Sequence, residues 1–195
     1  GISIKISDFN FQYLDGKKAL SNINMTIPAN SKVCISGHEG SGKSSLLRVI
    51  SGNFSDFSGA ILINNIPIGN YQLETLRSKI GVYLNQQDIF KGTVWENISL
   101  SRQGVFPENV TKISENVGIQ SYLDTLQQGF ETEIDSAGKK LPSTIVKKIL
   151  LLRAFANEPN LLLLEEPWQG LEEMEKHTMM NYLLNMIPNT TIIVV

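Results

Sequence analysis

Hydrophobic and polar residues alternate from the first positions of the chain. "ISIKI" alternates with period two, "FNFQYL" is aromatic, and "ALSNINMTI" alternates again before "PAN". This spacing predicts short strands over residues 2–35, with "KVCIS" as a short apolar strand at the end. Ser44 to Ile50 reads as a helix ended near Ser51 and Gly52. "GAILINNIPI" predicts strand, turn and strand, with Asn64 and Asn65 at the turn. "IGVYL" predicts one more strand.

The period then changes. "WENISL", "ENVTKISENVG" and "IQSYLDTLQQ" have helical spacing, interrupted by Gly104 to Pro107 and by Gly118. Ser143 or Thr144 is placed to cap a helix running to Asn157, stopped before Pro159. "NLLLLEE" is a continuous apolar run and predicts a strand buried on both faces. "GLEEMEKHTMMNYLLNMI" is amphipathic, and "TTIIVV" reads as a last buried strand. The fold class expected is α/β, with a helical insert at roughly 90–157.

Composition narrows the class. The 195 residues are 42% hydrophobic and 18% charged, with a formal net charge of -2, as in a globular chain. There is no basic block, so nucleic acid is not an expected partner. The lone cysteine, Cys34, excludes an internal disulfide framework and is expected as a buried structural thiol. No run reaches about 18 uninterrupted apolar residues, so no spanning segment is expected. No signal peptide is visible. The first residues already alternate like a strand and the last stop within one, so a longer natural chain is expected at both ends. Met174, Met179, Met180 and Met186 are expected in the core, and "LEEMEKH" on a solvated helix face.

Two stretches carry candidate chemistry. In "ISGHEGSGKSSLL", Gly37, Gly42, Lys43 and Ser44 satisfy G-x-x-x-x-G-K-[ST], with an apolar strand before and a helix after. The glycines let the backbone curl so that N–H groups point at phosphate oxygens. Lys43 brings positive charge to the β- and γ-phosphates, Ser44 offers a hydroxyl to Mg²⁺, and the following helix points its positive end at the anion. His38, Glu39, Gly40, Ser41 and Ser45 complete the candidate nucleotide-binding stretch. In "NLLLLEEPWQGLE", a buried strand ends in two acids at the sheet edge where ligands bind in α/β folds. Glu165 is placed to hold Mg²⁺, directly or through a water, and Glu166 to polarise an attacking water.

These residues together resemble the nucleotide-binding domain of ATP-binding cassette (ABC) transporters, over nearly the whole chain. "GHEGSGKS" resembles the family's Walker A motif and "LLLLEEP" its Walker B motif with the catalytic glutamate. "WQGLE" resembles its D-loop, and "FQY" its aromatic A-loop. The resemblance implies a P-loop NTPase core (1–90 and 158–195) with an N-terminal antiparallel β subdomain and a helical subdomain over about 91–157. It implies that Tyr13 stacks on adenine and that ATP and Mg²⁺ are the cofactors. "LETLRSKIGVYLNQQDIFKGTVWENISL" and "GFETEIDSAGKKL" are similar to exporter segments. In the Q-loop, the family's spacing lands on Asn85 with Gln86 and Gln87 beside it, and Gln86 is the favoured Mg²⁺ and water contact. The implied partners are a second nucleotide-binding domain, head to tail, and transmembrane domains of the same natural chain. The implied location is the cytoplasmic side of a membrane.

The sequence departs from the family in places. Where the family has leucine-serine-glycine-glycine-glutamine, this chain has "LPSTI", Leu141 to Ile145. Pro142 has neither a hydroxyl nor an N–H. Ser143 and Thr144 replace glycines, and Ile145 makes no side-chain hydrogen bond. Glu165 is one methylene longer than the family's aspartate. The family's switch histidine falls after the last strand, and neither His38 nor His177 takes its place. These departures leave a second reading open, a nucleotide-dependent dimerisation module with little or no turnover. A soluble ATPase acting on DNA or ribosomes is a third reading, disfavoured by the compact Walker spacing and the absence of a basic run.

Overall fold

The computed structural model describes residues 1–53, 56–135 and 141–195. The second part of "GFETEIDSAGKKL", residues 136–140, lies outside the described residues. In chain order the elements are β1 (Ile4–Gln12), β2 (Lys18–Ile27), β3 (Lys32–Cys34), α1 (Lys43–Ile50), β4 (Phe57–Ile63), β5 (Ile66–Pro67), α2 (Leu73–Ser78), β6 (Ile80–Tyr83) and β7 (Gly92–Thr93). They continue with α3 (Val94–Ser99), α4 (Pro107–Asn116), α5 (Gln120–Asp124), β8 (Glu133–Ile134), α6 (Ser143–Phe155), β9 (Leu161–Leu164), α7 (Glu173–Asn181) and β10 (Thr191–Val194). The chain divides into two compact units, one of residues 1–80, 160–165 and 189–195, the other of residues 81–159 and 166–188.

The first unit holds an antiparallel sheet in the order β2-β1-β4-β5. "ISIKI" and "FNFQYL" join into the single strand β1. Its register shifts around Asp8, whose φ is 48°. The shift has a physical purpose. Ile4 and Ile6 are buried on one side of it, Phe9 and Phe11 on the other, and one extra residue is what brings even and odd positions to the same face. Asn64 and Asn65 turn between β4 and β5 with φ of 49° and 64°, the left-handed pair that suits a two-residue hairpin.

Parallel strands form the second layer of that unit, with β10 between β3 and β9. Ile192 pairs with Lys32 and with Leu162. All four leucines of β9 are fully buried, each contributing about 1.5–3 kcal/mol. Cys34 is exposed, a correction to the buried thiol expected from "VCIS". It lies on β3, an edge strand.

The second unit is helical. Its longest helix, α6, is buried from Lys148 through Phe155 and packs against α3 and α4. A capping box starts α3: Thr93 Oγ1 accepts from the Glu96 N–H at 3.0 Å, and Glu96 Oε2 accepts from the Thr93 N–H at 2.8 Å. Arg153 donates to the Asn97 carbonyl (2.7 Å), to Asn97 Oδ1 (3.2 Å) and to the Asp88 carbonyl (3.1 Å). Burial lowers the Arg153 pKa, with a further push from Arg102 and an opposing pull from Asp88. Trp95 is half-buried against Phe130, with ring centroids 5.5 Å apart.

Two expectations about this unit are corrected. Of the four methionines, Met179 is buried, whereas Met174, Met180 and Met186 are exposed. Met174 and Met180 flank the buried positions Glu175 and Met179 on α7, off its buried face, and Met186 lies in a π-helical turn, Tyr182–Met186, that follows α7 and changes the phase of the apolar positions. Glu175, inside the supposedly solvated "LEEMEKH", is buried. Its Oε1 lies 3.3 Å from Lys148 Nζ, and that ammonium stands 2.8 Å from the Tyr122 ring centroid. Lys148 Nζ has no aligned hydrogen-bond acceptor, so the contact with Glu175 is an ion pair by distance.

Candidate functional site

The glycine loop lies between β3 and α1. Gly40 and Gly42 have φ of 78° and 92°, the left-handed region that glycine enters at no steric cost. At Gly42 the requirement is doubled. A Cβ there would meet the Ala19 carbonyl at 2.4 Å and Leu20 Cδ2 at 2.7 Å. The loop is therefore pinned against β2 where α1 begins.

Lys43 is the first residue of α1, and its ammonium turns back across the loop. Nζ donates to the Gly37 carbonyl at 2.8 Å, to the His38 carbonyl at 2.9 Å and to Ser41 Oγ at 3.2 Å. These are loop groups that an anion in the cradle would have as neighbours. The next residue, Ser44, donates its hydroxyl to Glu165 Oε1. Glu165 follows the last residue of β9 and is 6% exposed. Two of the three candidate Mg²⁺ residues, Ser44 and Glu165, 121 positions apart in sequence, thus meet at one point. Their donors are a hydroxyl and a carboxylate, the hard oxygen ligands that Mg²⁺ takes in small number alongside phosphate. Among the described residues no cluster of three or more His, Cys, Asp or Glu residues forms a closed metal cage. The pair fits an ion whose remaining ligands come from water and substrate.

Ser45, also in the glycine-loop stretch, is buried, and its Oγ lies 2.6 Å from the Tyr13 hydroxyl. Tyr13 stands edge-on to Phe11 with centroids 5.0 Å apart. His38, Glu39, Gly40 and Ser41 are exposed.

The second acid belongs to the helical unit. Glu166 is exposed, with φ of 45°. Its Oε2 accepts from Asn85 Nδ2 at 3.3 Å and from Gln169 Nε2. Of the three Q-loop amides, Asn85 is the one bonded to Glu166. Gln86 is exposed, and Gln87 Oε1 accepts from the Leu84 N–H at 2.9 Å. Gln169 Oε1 in turn accepts from Lys147 Nζ at 3.1 Å. Gln169 lies within "WQGLE", where the sequence pattern marks no role for it, and Lys147 carries no sequence signal of its own.

The "LPSTI" segment forms the start of α6. Pro142 occupies the N-cap with no side-chain cap hydrogen bond, and its carbonyl accepts from the N–H groups of Ile145 and Val146 at 2.9 and 3.2 Å. Ser143 is the first helical residue, a correction to the expected Ser143 or Thr144 cap. Proline fixes its own φ and leaves no cap side chain to accept the first-turn N–H groups.

Comparison with known proteins gives the family and the fold. The family model described as ABC transporter matches residues 20–169. The Bacillus subtilis (strain 168) protein "Uncharacterized ABC transporter ATP-binding protein YknV" is 33% identical over 169 residues, covering 87% of this chain and 28% of that protein. Human "Iron-sulfur clusters transporter ABCB7, mitochondrial" is 25% identical over 189 residues, covering 97% and 25%. The chain thus spans about a quarter of the length of these curated relatives. A solved bacterial Atm1-family ABC exporter with ATP bound superposes with a TM-score of 0.88 at 24% identity, over 99% of this chain and 34% of the other. That likeness establishes the fold, an antiparallel sheet and a parallel sheet with a helical part. Among the described residues no helix is long and apolar enough to cross a membrane. The matched span of 150 residues takes in the glycine loop, both acids and the start of α6, and the chain belongs to the ABC transporter family.

Proposed function

We propose that the chain is the ATP-binding and ATP-hydrolysing domain of an exporter-type ABC transporter, as one domain with its helical subdomain at about 91–157. The observation that carries this reading is the hydrogen bond between Ser44 and Glu165, which unites two motifs from distant parts of the sequence at one cation-binding point. The Bacillus subtilis relative's name, an ATP-binding protein, and the exporter fold neighbour support it.

In this reading the loop amides from Gly37 to Ser45 and the Lys43 ammonium hold the β- and γ-phosphates. Tyr13 leaves its Ser45 contact to stack on adenine. Ser44 and Glu165 would hold Mg²⁺, which would supply charge neutralisation to the phosphates, and Gln86 keeps the Q-loop role that the resemblance implies. Asn85 supports Glu166. A proton of the attacking water passes to Glu166 as the water oxygen bonds the γ-phosphorus and the bridging P–O bond to ADP breaks. Two such domains close head to tail on ATP and reopen after hydrolysis. That cycle drives membrane domains of the same natural chain from the cytoplasmic side.

The test is MgATP titration of the chain and of Lys43→Ala by calorimetry. The expected result is saturable binding weakened at least about tenfold in the variant, the scale of one charge-assisted contact. Equal affinity in both removes the loop from the binding site.

A further inference from the structure

We propose that Gln169 is a positioning residue for Glu166, and that Lys147 sets the direction in which the Gln169 amide points. The inference rests on the reading of Glu166 as the group that activates water.

Three hydrogen bonds run in series within the helical unit. Lys147 Nζ donates to Gln169 Oε1 at 3.1 Å, Gln169 Nε2 donates to Glu166 Oε2, and Asn85 Nδ2 donates to the same oxygen at 3.3 Å. The backbone assists. The Gln169 N–H donates to the Glu166 carbonyl at 3.2 Å, a four-residue turn that folds the Gln169 side chain back towards the carboxylate. Glu166 itself has a left-handed backbone, φ 45°. A residue with a Cβ pays about 1–2 kcal/mol for that conformation, and it persists where surrounding contacts hold it.

Lys147 decides the chemistry of the chain of bonds. A glutamine amide is nearly symmetric in shape, but one end donates and the other accepts. An ammonium only donates, so it claims Oε1 and leaves Nε2 for the carboxylate. With the amide reversed, Gln169 Oε1 would face Glu166 Oε2, two acceptors with no proton between them. Lys147 lies four residues after Ser143, on the same face of α6. The loop that carries Glu166 is seated on that face, since a Cβ at Gly170 would meet Lys147 Cδ at 3.5 Å and Thr144 Cγ2 at 3.6 Å. The carboxylate is thereby referenced to the first turns of α6. Its Oε2 holds two donors, and Oε1 has no protein donor among the described residues, which leaves it to take the water's proton.

Steady-state MgATP turnover and equilibrium MgATP binding of the chain, with Gln169→Ala, Lys147→Met and Lys147→Arg, test the assignment. Gln169 is exposed and Lys147 half-exposed, and far-UV melting curves check that each variant folds. The expected result is a kcat about tenfold lower in Gln169→Ala, from loss of one hydrogen bond to a charged group. A smaller fall is expected in Lys147→Met, recovery in Lys147→Arg, and the same KM throughout. Unchanged kcat in Gln169→Ala, or equal losses in the methionine and arginine variants, overturns the positioning role. So does a change confined to KM. MgATP binding separates the two levels. A parent chain that binds no MgATP overturns both this inference and the function it rests on. A chain that binds MgATP without turning it over likewise overturns both, whereas a chain that turns MgATP over with kcat unmoved in the variants overturns the positioning role alone.

Discussion

The buried pair of Lys148 and Glu175 makes a quantitative prediction about the helical unit. Their side chains are 3% and 10% exposed, 3.3 Å apart. Glu175 has two tasks, because its Oε2 also accepts from the Glu172 N–H at 2.8 Å at the start of α7. Glu175→Gln separates them. Glutamine serves at that capping position as glutamate does, so the cap survives and only the charge is lost. The ammonium of Lys148 is then left with the Tyr122 ring, an attraction of about 0.5–2 kcal/mol. Removing one partner of a buried pair costs about 3–5 kcal/mol, and the ring offsets part of it, so a loss of about 3 kcal/mol is expected. Lys148→Met strands the carboxylate and is expected to cost a similar amount. The double variant leaves no charge behind and should lie within about 1 kcal/mol of the parent, as a neutral replacement of a buried pair does. Urea unfolding followed by tryptophan fluorescence reads this unit specifically, because Trp95 and Trp168 both lie within it. Single variants that each cost under about 0.5 kcal/mol, or a double variant equal to their sum, would refute the argument that the pair is a coupled buried charge site.

Two further predictions concern stability. The Tyr182 phenol is pushed up to about 12, first by burial and then by the charge of Glu158. A raised folded-state value means that this contribution is complete below the unfolded value of about 10 and is lost as pH rises from there towards 12. Urea midpoints between pH 8 and 11.5 should fall by the equivalent of about 2–3 kcal/mol at most, and Tyr182→Phe should flatten that part of the profile; an identical slope in the variant contradicts the assignment. At α3, Thr93→Ala should lose about 1 kcal/mol and Thr93→Ser almost none, read from the same fluorescence transition; equal losses would mean that the hydroxyl does not cap.

The parts of the molecule that were legible in the sequence are those set by local pattern. Gly37 to Ser45 could be read because the left-handed glycines, the lysine and the hydroxyl lie within nine consecutive positions. The apolar run of β9 and the asparagine turn at Asn64 were equally local. What escaped depends on distant partners or on a change of phase. Glu175 looks like any solvated acid until Lys148, 27 positions earlier by their numbers, is brought beside it. Met180 follows the buried Met179 by one residue and so points off the buried face of α7, and Met186 lies in the π-helical turn after Asn181, which rotates the stripe. Cys34 sits in an apolar run, yet on an edge strand. The Asn85, Gln169 and Lys147 contacts with and around Glu166 join three separate segments, and no single window of sequence contains them.

In the proposed function this chain binds ATP and turns it over through Glu166. The most direct measurement is Mg²⁺-dependent phosphate release from ATP by the chain beside its Glu166→Gln variant, with ATP binding measured on both. Both are expected to bind ATP, and release should vanish in the variant. Release that continues unchanged in Glu166→Gln, or ATP bound with no release by the parent, would contradict that function.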